Sequence, residues 1–499
     1  MKNTTAMTLT AALTLLLAGC PEEGAQENNA GGNDTENNVE GYVPPTLDEV
    51  PATYAFPSKF VEGDSGVRYN GQTMRHVLIF DLNDYIANRL EEDALASRFA
   101  DQAAVELVFT SFLESEDLSE EEIRLSTEAG TLQTTYGELS SGTLLQKIAG
   151  NDSSTDYKDW KTGLEGWEGQ TSAEGLVRDF FDQLAGQVFA LQEGAMLKDP
   201  ISDQDLPVYV TPEGLDLKQL IQKFLLMSIG FAQAADDYMA SGTPDKGLEA
   251  PNTRSGDSVY TGLEHVWDEG FGYFGAARDY DTYSDQEISD GVRKDSDGDG
   301  VIDLKSEYNF GASVNAAKRD LGSADGAATD YTRDAFDAFR AGRLIIYQAG
   351  EELTEDEKTR LEAERDKALG AWEKAIAATV VHYINDTLQV MRAYEEQPIT
   401  YSHAEHAKVW SELKGFSLGF QFNEASPMMQ DSEATGVKRF VAFHTLIGDA
   451  PALPTPGEAD GGDAFQSYAD DLVAARDILQ EAYGFDDANM GDEDGENGW

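Results

Sequence analysis

A capping box, Thr354-x-x-Glu357, opens a run in which Leu361, Leu369, Trp372, Ile376, Val380, Ile384, Leu388 and Met391 recur at helical steps. The spacing puts these apolar side chains on one face and predicts a helix to about Glu395. A helix of that length cannot bury its own stripe, so it demands other helices beside it. Candidate partners follow from the same periodicity. The 215–239 segment carries Leu220, Phe224, Met227 and Phe231 on one side, and 174–193, 332–349 and 465–483 also read as amphipathic helices. The 150–169 segment, with Trp160 and Trp167, reads as an ordered loop. Sustained period-two alternation is scarce. The expectation is an all-α protein of tandem helical bundles, 51–290 and 311–485, joined through an acidic calcium-type loop at 291–310.

The ends are different in kind. Residues 20–50 are rich in Asn, Gly, Glu and Pro and carry too little apolar surface to fold, which predicts a disordered tether. Residues 486–499 read as an acidic tail for the same reason. Ahead of the tether, Cys20 closes the run Leu17-Ala18-Gly19-Cys20 behind an apolar stretch too short to span a bilayer. That pattern predicts a lipoprotein signal over residues 1–19 and lipid on Cys20, with the membrane as partner and the cell envelope as address. On this reading the protein sits on the periplasmic or surface side of the outer membrane. Cys20 is the single cysteine, so no disulfide can form within the chain, and an exported body must be held by its core and by metal.

Charge narrows the partners. Lys and Arg number 36 against 93 Asp and Glu, a formal net charge of −57. Such a surface repels phosphate backbones and excludes nucleic acid as a partner, while it attracts cations and favours solubility.

One segment concentrates that attraction. Asp295-Ser296-Asp297-Gly298-Asp299-Gly300-Val301-Ile302-Asp303 alternates carboxylates that can converge on one hard cation, with glycines for the turn and the Val301 carbonyl as a further oxygen. An all-oxygen set suits calcium, and Ile302 is placed to anchor the loop to the core. The twelfth position is Ser306, and the acid expected there falls one residue later, at Glu307. Either Glu307 or Ser306 with water is left to close the shell.

A second candidate centre is assembled from histidines. His265, Asp268 and Glu269 share one helical face at i, i+3 and i+4, a set able to bind a transition metal or to support acid–base chemistry. The other half would come from His403, His406 or Glu412. A short internal echo links the two regions, since Trp267-x-Glu269-x-x-Gly272-Tyr273 recurs as Trp410-x-Glu412-x-x-Gly415-Phe416. There is no Gly-x-Ser-x-Gly elbow, no His-Glu-x-x-His motif and no phosphate loop.

Trp267-Asp268-Glu269-Gly270-Phe271-Gly272-Tyr273-Phe274-Gly275, the acidic stretch from Asp295 to Phe310, Trp410-Ser411-Glu412-Leu413-Lys414-Gly415-Phe416 and Gly71-Gln72-Thr73-Met74-Arg75 together resemble the Domain of Unknown Function 4856 family of bacterial lipoproteins. The resemblance covers roughly residues 54–450. That family is in turn similar to imelysins, helical exported proteins associated with iron handling and once described as peptidases. The resemblance implies an imelysin-like fold and a metal-uptake setting with its protein components as partners. Of the imelysin motif Gly-x-His-x-x-Glu only His265 and Asp268 carry over, because Gly262 stands one residue too far and Asp replaces Glu. The reading is a lipid-anchored helical protein with a cation- or iron-related binding role. The rival is a structural or adhesion lipoprotein with no transition metal. A metallopeptidase is a third possibility, but it has no catalytic motif to support it.

Overall fold

The computed structural model describes residues 42–114, 118–125, 130–152, 156–458 and 460–499. Residues 1–19, expected as a signal, Cys20 and most of the expected tether lie outside the described residues. In chain order the helices are α1 (Asn70–Asn88), α2 (Leu90–Leu95), α3 (Gln102–Glu114), α4 (Ala173–Gln192), α5 (Leu217–Leu225), α6 (Gly262–Phe274) and α7 (Asp285–Ser289). After the acidic segment come α8 (Gly311–Gly322), α9 (Tyr331–Gln348), α10 (Glu355–Glu396), α11 (His403–Ser417), α12 (Arg439–Ile447) and α13 (Asp463–Tyr483). Among the described residues extended pairing is confined to isolated bridges. The protein is all-α, built of helical bundles.

Helix α10 organises the body. Thr354 caps it, with Glu357 N donating to Thr354 Oγ1 at 3.3 Å and Thr354 N donating to Glu357 Oε2 at 2.7 Å. The apolar stripe predicted from spacing is buried along its length. From Ala375 to Val381 every side chain is buried, so the middle of the helix is covered on all sides. Helices α8, α9, α11 and α13 supply that cover. Three alanines in this stretch, Ala375, Ala377 and Ala378, let the neighbours approach closely.

The two halves read from sequence interleave. Helix α6 packs on both α1 and α9, and α5 packs on α11, so elements before residue 290 are covered by elements after 311. The described residues lie in one compact unit. The echo acquires a structural meaning here. The Trp267 indole donates to Phe339 O at 2.9 Å and that of Trp410 to Tyr468 Oη at 2.7 Å. Glu269 accepts from Gln72 on α1 at 2.9 Å, and Glu412 pairs with Lys223 on α5 at 3.2 Å. A methyl group added at Gly272 would meet Tyr69 and Gln72 at 2.6–3.0 Å, and one added at Gly415 would meet Lys223 at 2.7 Å. The repeated Glu and Gly thus make matching contacts with α1 in one copy and α5 in the other, while the Trp indoles donate to α9 and α13.

Residues 215–239, expected as one regular helix, differ. Asp216 caps α5, whose first turns are regular, and the chain then widens into π-helical turns at Leu226–Phe231 and Gln233–Tyr238. Apolar spacing cannot distinguish the two, since both bury Phe224, Met227 and Phe231. The wider turns bring Asp236 to the 150–169 loop, where it accepts from Trp160 Nε1 at 2.6 Å and Tyr157 N at 2.9 Å.

Both expected tails are partly fastened. Residues 42–52 lie along α9, which donates from Tyr347 Oη to Pro45 O and from Arg340 Nη1 to Pro51 O at 2.9–3.0 Å. Residues 486–499 fold back onto the body: Trp499 is 5% exposed and its indole donates to Arg319 O at 3.0 Å. Gln389 on α10 donates to Gly495 O at 2.7 Å. Buried Met490 and Trp499 supply the apolar surface that the run of acids obscures in the sequence.

Candidate cation site

The acidic segment leaves α7 and is fastened at each end. Lys294 N donates to Tyr283 Oη at 2.9 Å and Lys294 Nζ to Thr282 O at 2.6 Å. At the far end Phe310 N donates to Gly275 O at 2.7 Å, just past the end of α6. Midway, Ile302 pairs in parallel with Thr131, and Leu132 N donates to Ile302 O at 2.8 Å. Ile302 is thereby the anchor its position suggested.

Between these anchors the chain folds around its own carboxylates. Asp295 accepts from Gly298 N at 2.6 Å and Gly300 N at 2.9 Å. Asp297 accepts from Asp299 N at 3.0 Å, and Asp299 from Val301 N at 2.9 Å. Gly298 and Gly300 adopt φ values of +81° and +94°, a region where side chains are strained, which is why the loop needs glycine there. One oxygen each from Asp295, Asp297 and Asp299 lies within 4.8 Å of the others. Calcium ligands at about 2.3–2.6 Å from the ion stand at most about 5 Å apart, so the three fit a common cation. The charges favour one. Hydrogen bonds, led by that from Gly300 N, hold the Asp295 pKa down. At Asp297 the bond from Asp299 N acts in the same direction, but desolvation and the carboxylates of Asp299, Glu307 and Asp295 outweigh it and raise the pKa. A bound cation would relieve that repulsion.

The outer part of the expected shell is engaged with protein. Asp303 accepts from Gln133 Nε2 and Ser306 Oγ, each at 2.7 Å. Glu307, nearly buried, accepts from Ser296 N at 2.7 Å, Asp297 N at 3.2 Å and Asp303 N at 2.8 Å. The displaced acid thus closes the loop through its backbone, a role that ligand spacing alone does not suggest.

The histidine centre is not assembled. His265 stacks on Tyr260 at 4.3 Å between ring centroids, and its Nε2 lies 3.8 Å from Glu269. Asp268 is fully buried and taken up by other partners, accepting from Tyr54 Oη at 2.8 Å and Arg343 Nε at 2.9 Å. His403 Nε2 lies 2.9 Å from Thr211 O, and His406 Nδ1 lies 3.0 Å from Tyr401 Oη. Glu412 pairs with Lys223. Among the described residues only Asp295, Asp297 and Asp299 bring at least three candidate ligands together. Helical spacing identified neighbours on one helix, but tertiary packing gave each a separate partner.

A buried ion cluster lies on the same helix, which helical spacing does not reveal. Arg343, with no side-chain exposure, bridges Asp268 and Glu264, and Lys59 lies 3.4 Å from Glu264. The available signal was three acids, Glu264, Asp268 and Glu269, on a largely apolar helix without Lys or Arg, which calls for a partner from elsewhere.

The chain belongs to the family described as a domain of unknown function (DUF4856), which matches residues 51–393. The match includes the acidic loop and nearly all of α10. Neither a curated protein nor a solved structure matches the chain.

Proposed function

We propose that this member of the DUF4856 family is a lipid-anchored envelope protein that binds calcium in the 295–307 loop. The convergence of three carboxylate oxygens within 4.8 Å, on a loop fastened at both ends, carries this reading. Asp295, Asp297 and Asp299 would hold the ion, with the Val301 carbonyl and water completing the shell. The cation's work is structural. It neutralises carboxylates that otherwise repel, and so fixes the loop that pins Leu132 through Ile302 and Gln133 through Leu304. The iron-related role implied by imelysin likeness draws no support from the separated histidines.

Calcium at a hundredfold excess over Kd should stabilise the fold by about 2.7 kcal/mol. Adding a chelator to full-length protein should therefore lower Tm, and readdition of calcium should restore it. Asp297→Ala should remove the response while leaving the chelated Tm nearly unchanged. A wild-type Tm indifferent to both additions would reject the calcium site.

The envelope address is tested separately. Intact-mass measurement of membrane-extracted protein should show loss of residues 1–19 and added acyl mass on Cys20, and Cys20→Ala should remove the acyl mass. Retention of residues 1–19 in the wild type would reject lipid anchoring without touching the calcium reading.

A further inference from the structure

Beside the acidic loop, and independent of its occupancy, a cavity of about 210 Å³ opens between α7 and α9. Its walls are aromatic: Tyr280, Tyr283 and Phe336, each at most 4% exposed. Its rim carries Asp281, Asp285 and Arg333. A cavity of roughly 150 Å³ accepts benzene, so this one can take an organic molecule of about eight to ten non-hydrogen atoms.

The rim sets the charge of the occupant. Arg333 is half exposed and ion-paired to Asp281, with Asp330 a further 3.9 Å partner. Asp285 accepts from Thr332 Oγ1 at 3.1 Å, and burial together with the nearby Asp330 carboxylate raises its pKa. The walls favour cations independently of the rim. Lys294 Nζ lies 4.2 Å from the Tyr283 ring centroid, and the Arg340 guanidinium lies 4.6 Å from that of Phe336. Both rings therefore already hold cations of this chain. Asp281 is answered by both Arg333 and Arg340, whereas Asp285 has only the Thr332 hydroxyl and the field of Arg333 and no direct ion pair among the described residues, so a cation completes it where an anion or a neutral molecule does not.

We infer that this cleft is a binding site for a small organic ammonium ion with an apolar or aromatic body, seated on Tyr280, Tyr283 and Phe336 with its charge against Asp285. Arg333, tethered to Asp281 at the mouth, competes for the same carboxylates and weakens binding. The site lies outside the calcium loop and asks for a different class of ligand.

Calorimetric titration of the full chain in detergent with benzylamine, and with benzyl alcohol as its neutral isostere, tests the assignment. Benzylamine should bind at least about tenfold more tightly, the value of one charge-assisted contact in a partly dry site. Asp285→Asn should remove that preference, whereas Arg333→Gln should strengthen benzylamine binding severalfold. Running each titration with calcium and with chelator separates this site from the loop, because the ammonium preference should survive in both. Equal affinity for the two ligands, no binding of benzylamine by the wild type, or an Asp285→Asn protein that melts normally and keeps its preference would each overturn the proposal. If Asp285→Asn fails to fold, the wild-type comparison and Arg333→Gln still decide it.

Discussion

Arg343→Met is expected to destabilise the protein by about 3–5 kcal/mol, the cost of leaving a buried ion pair with one partner. The guanidinium donates from Nε to Asp268 at 2.9 Å, from Nη1 to Glu264 at 3.0 Å and from Nη2 to Gly66 O at 3.3 Å. It also stands 4.9 Å from the Phe56 ring centroid, so methionine preserves much of the packing while deleting the charge. Two carboxylates would then lie in the core, Glu264 beside Lys59 and Asp268 with no direct ion pair among the described residues. The triple variant Arg343→Met, Asp268→Asn, Glu264→Gln should recover most of the loss, because neutral amides no longer require a counter-charge. Chemical denaturation of the single and triple variants measures both. An equal loss in the two would assign the effect to shape and not to charge.

The same variant should show a distinct pH dependence. Burial raises the Asp268 pKa above its ordinary 3.8, and Arg343, ahead of the hydrogen bond from Tyr54, opposes that rise. Without Arg343 the folded-state pKa climbs further, so the folded protein binds a proton that the unfolded chain has released. Stability then falls as pH rises from the unfolded value through the folded one. The deficit of Arg343→Met against wild type should accordingly be greatest near pH 8 and smaller near pH 5.

Gly342→Ala and Gly370→Ala should change stability in opposite directions. Alanine is favoured over glycine inside a helix by about 1 kcal/mol, and both positions lie within helices, α9 and α10. At Gly370 an added methyl meets nothing within 4 Å, so the full preference should appear as a gain of about 0.5–1 kcal/mol. At Gly342 the same methyl would stand 2.0 Å from Cζ2 and 2.3 Å from Cη2 of Trp267. Trp267 is fully buried, and its indole is fixed by the bond to Phe339 O, so it cannot step aside. Overpacking of this kind costs about 1–3 kcal/mol or more, which outweighs the helical preference. Thermal melts of both variants would show it, and a Gly342→Ala protein as stable as wild type would mean that α6 and α9 can separate locally.

These cases mark where local pattern ends. The capping box at Thr354 and the steps from Leu361 to Met391 determined α10 nearly to its last residue, because helix start and stripe are set by contacts within a few residues. The alternation Asp295, Asp297, Asp299 determined the convergence of these three carboxylates for the same reason, since the groups and the turns between them are all local. Distant contacts decided the rest. Spacing put His265, Asp268 and Glu269 on one helix but could not say that Arg343, 75 residues from Asp268, would claim it. Apolar periodicity found the 215–239 helix but not its π-turns, whose buried Gln233 and Asp236 are answered by residues 157–160 and Asp152. Composition marked 486–499 as a tail, and only packing against α8 and α10 gave Trp499 a place. A sequence displays which groups need burial or counter-charge; which partner meets that need depends on chain segments that only folding brings together.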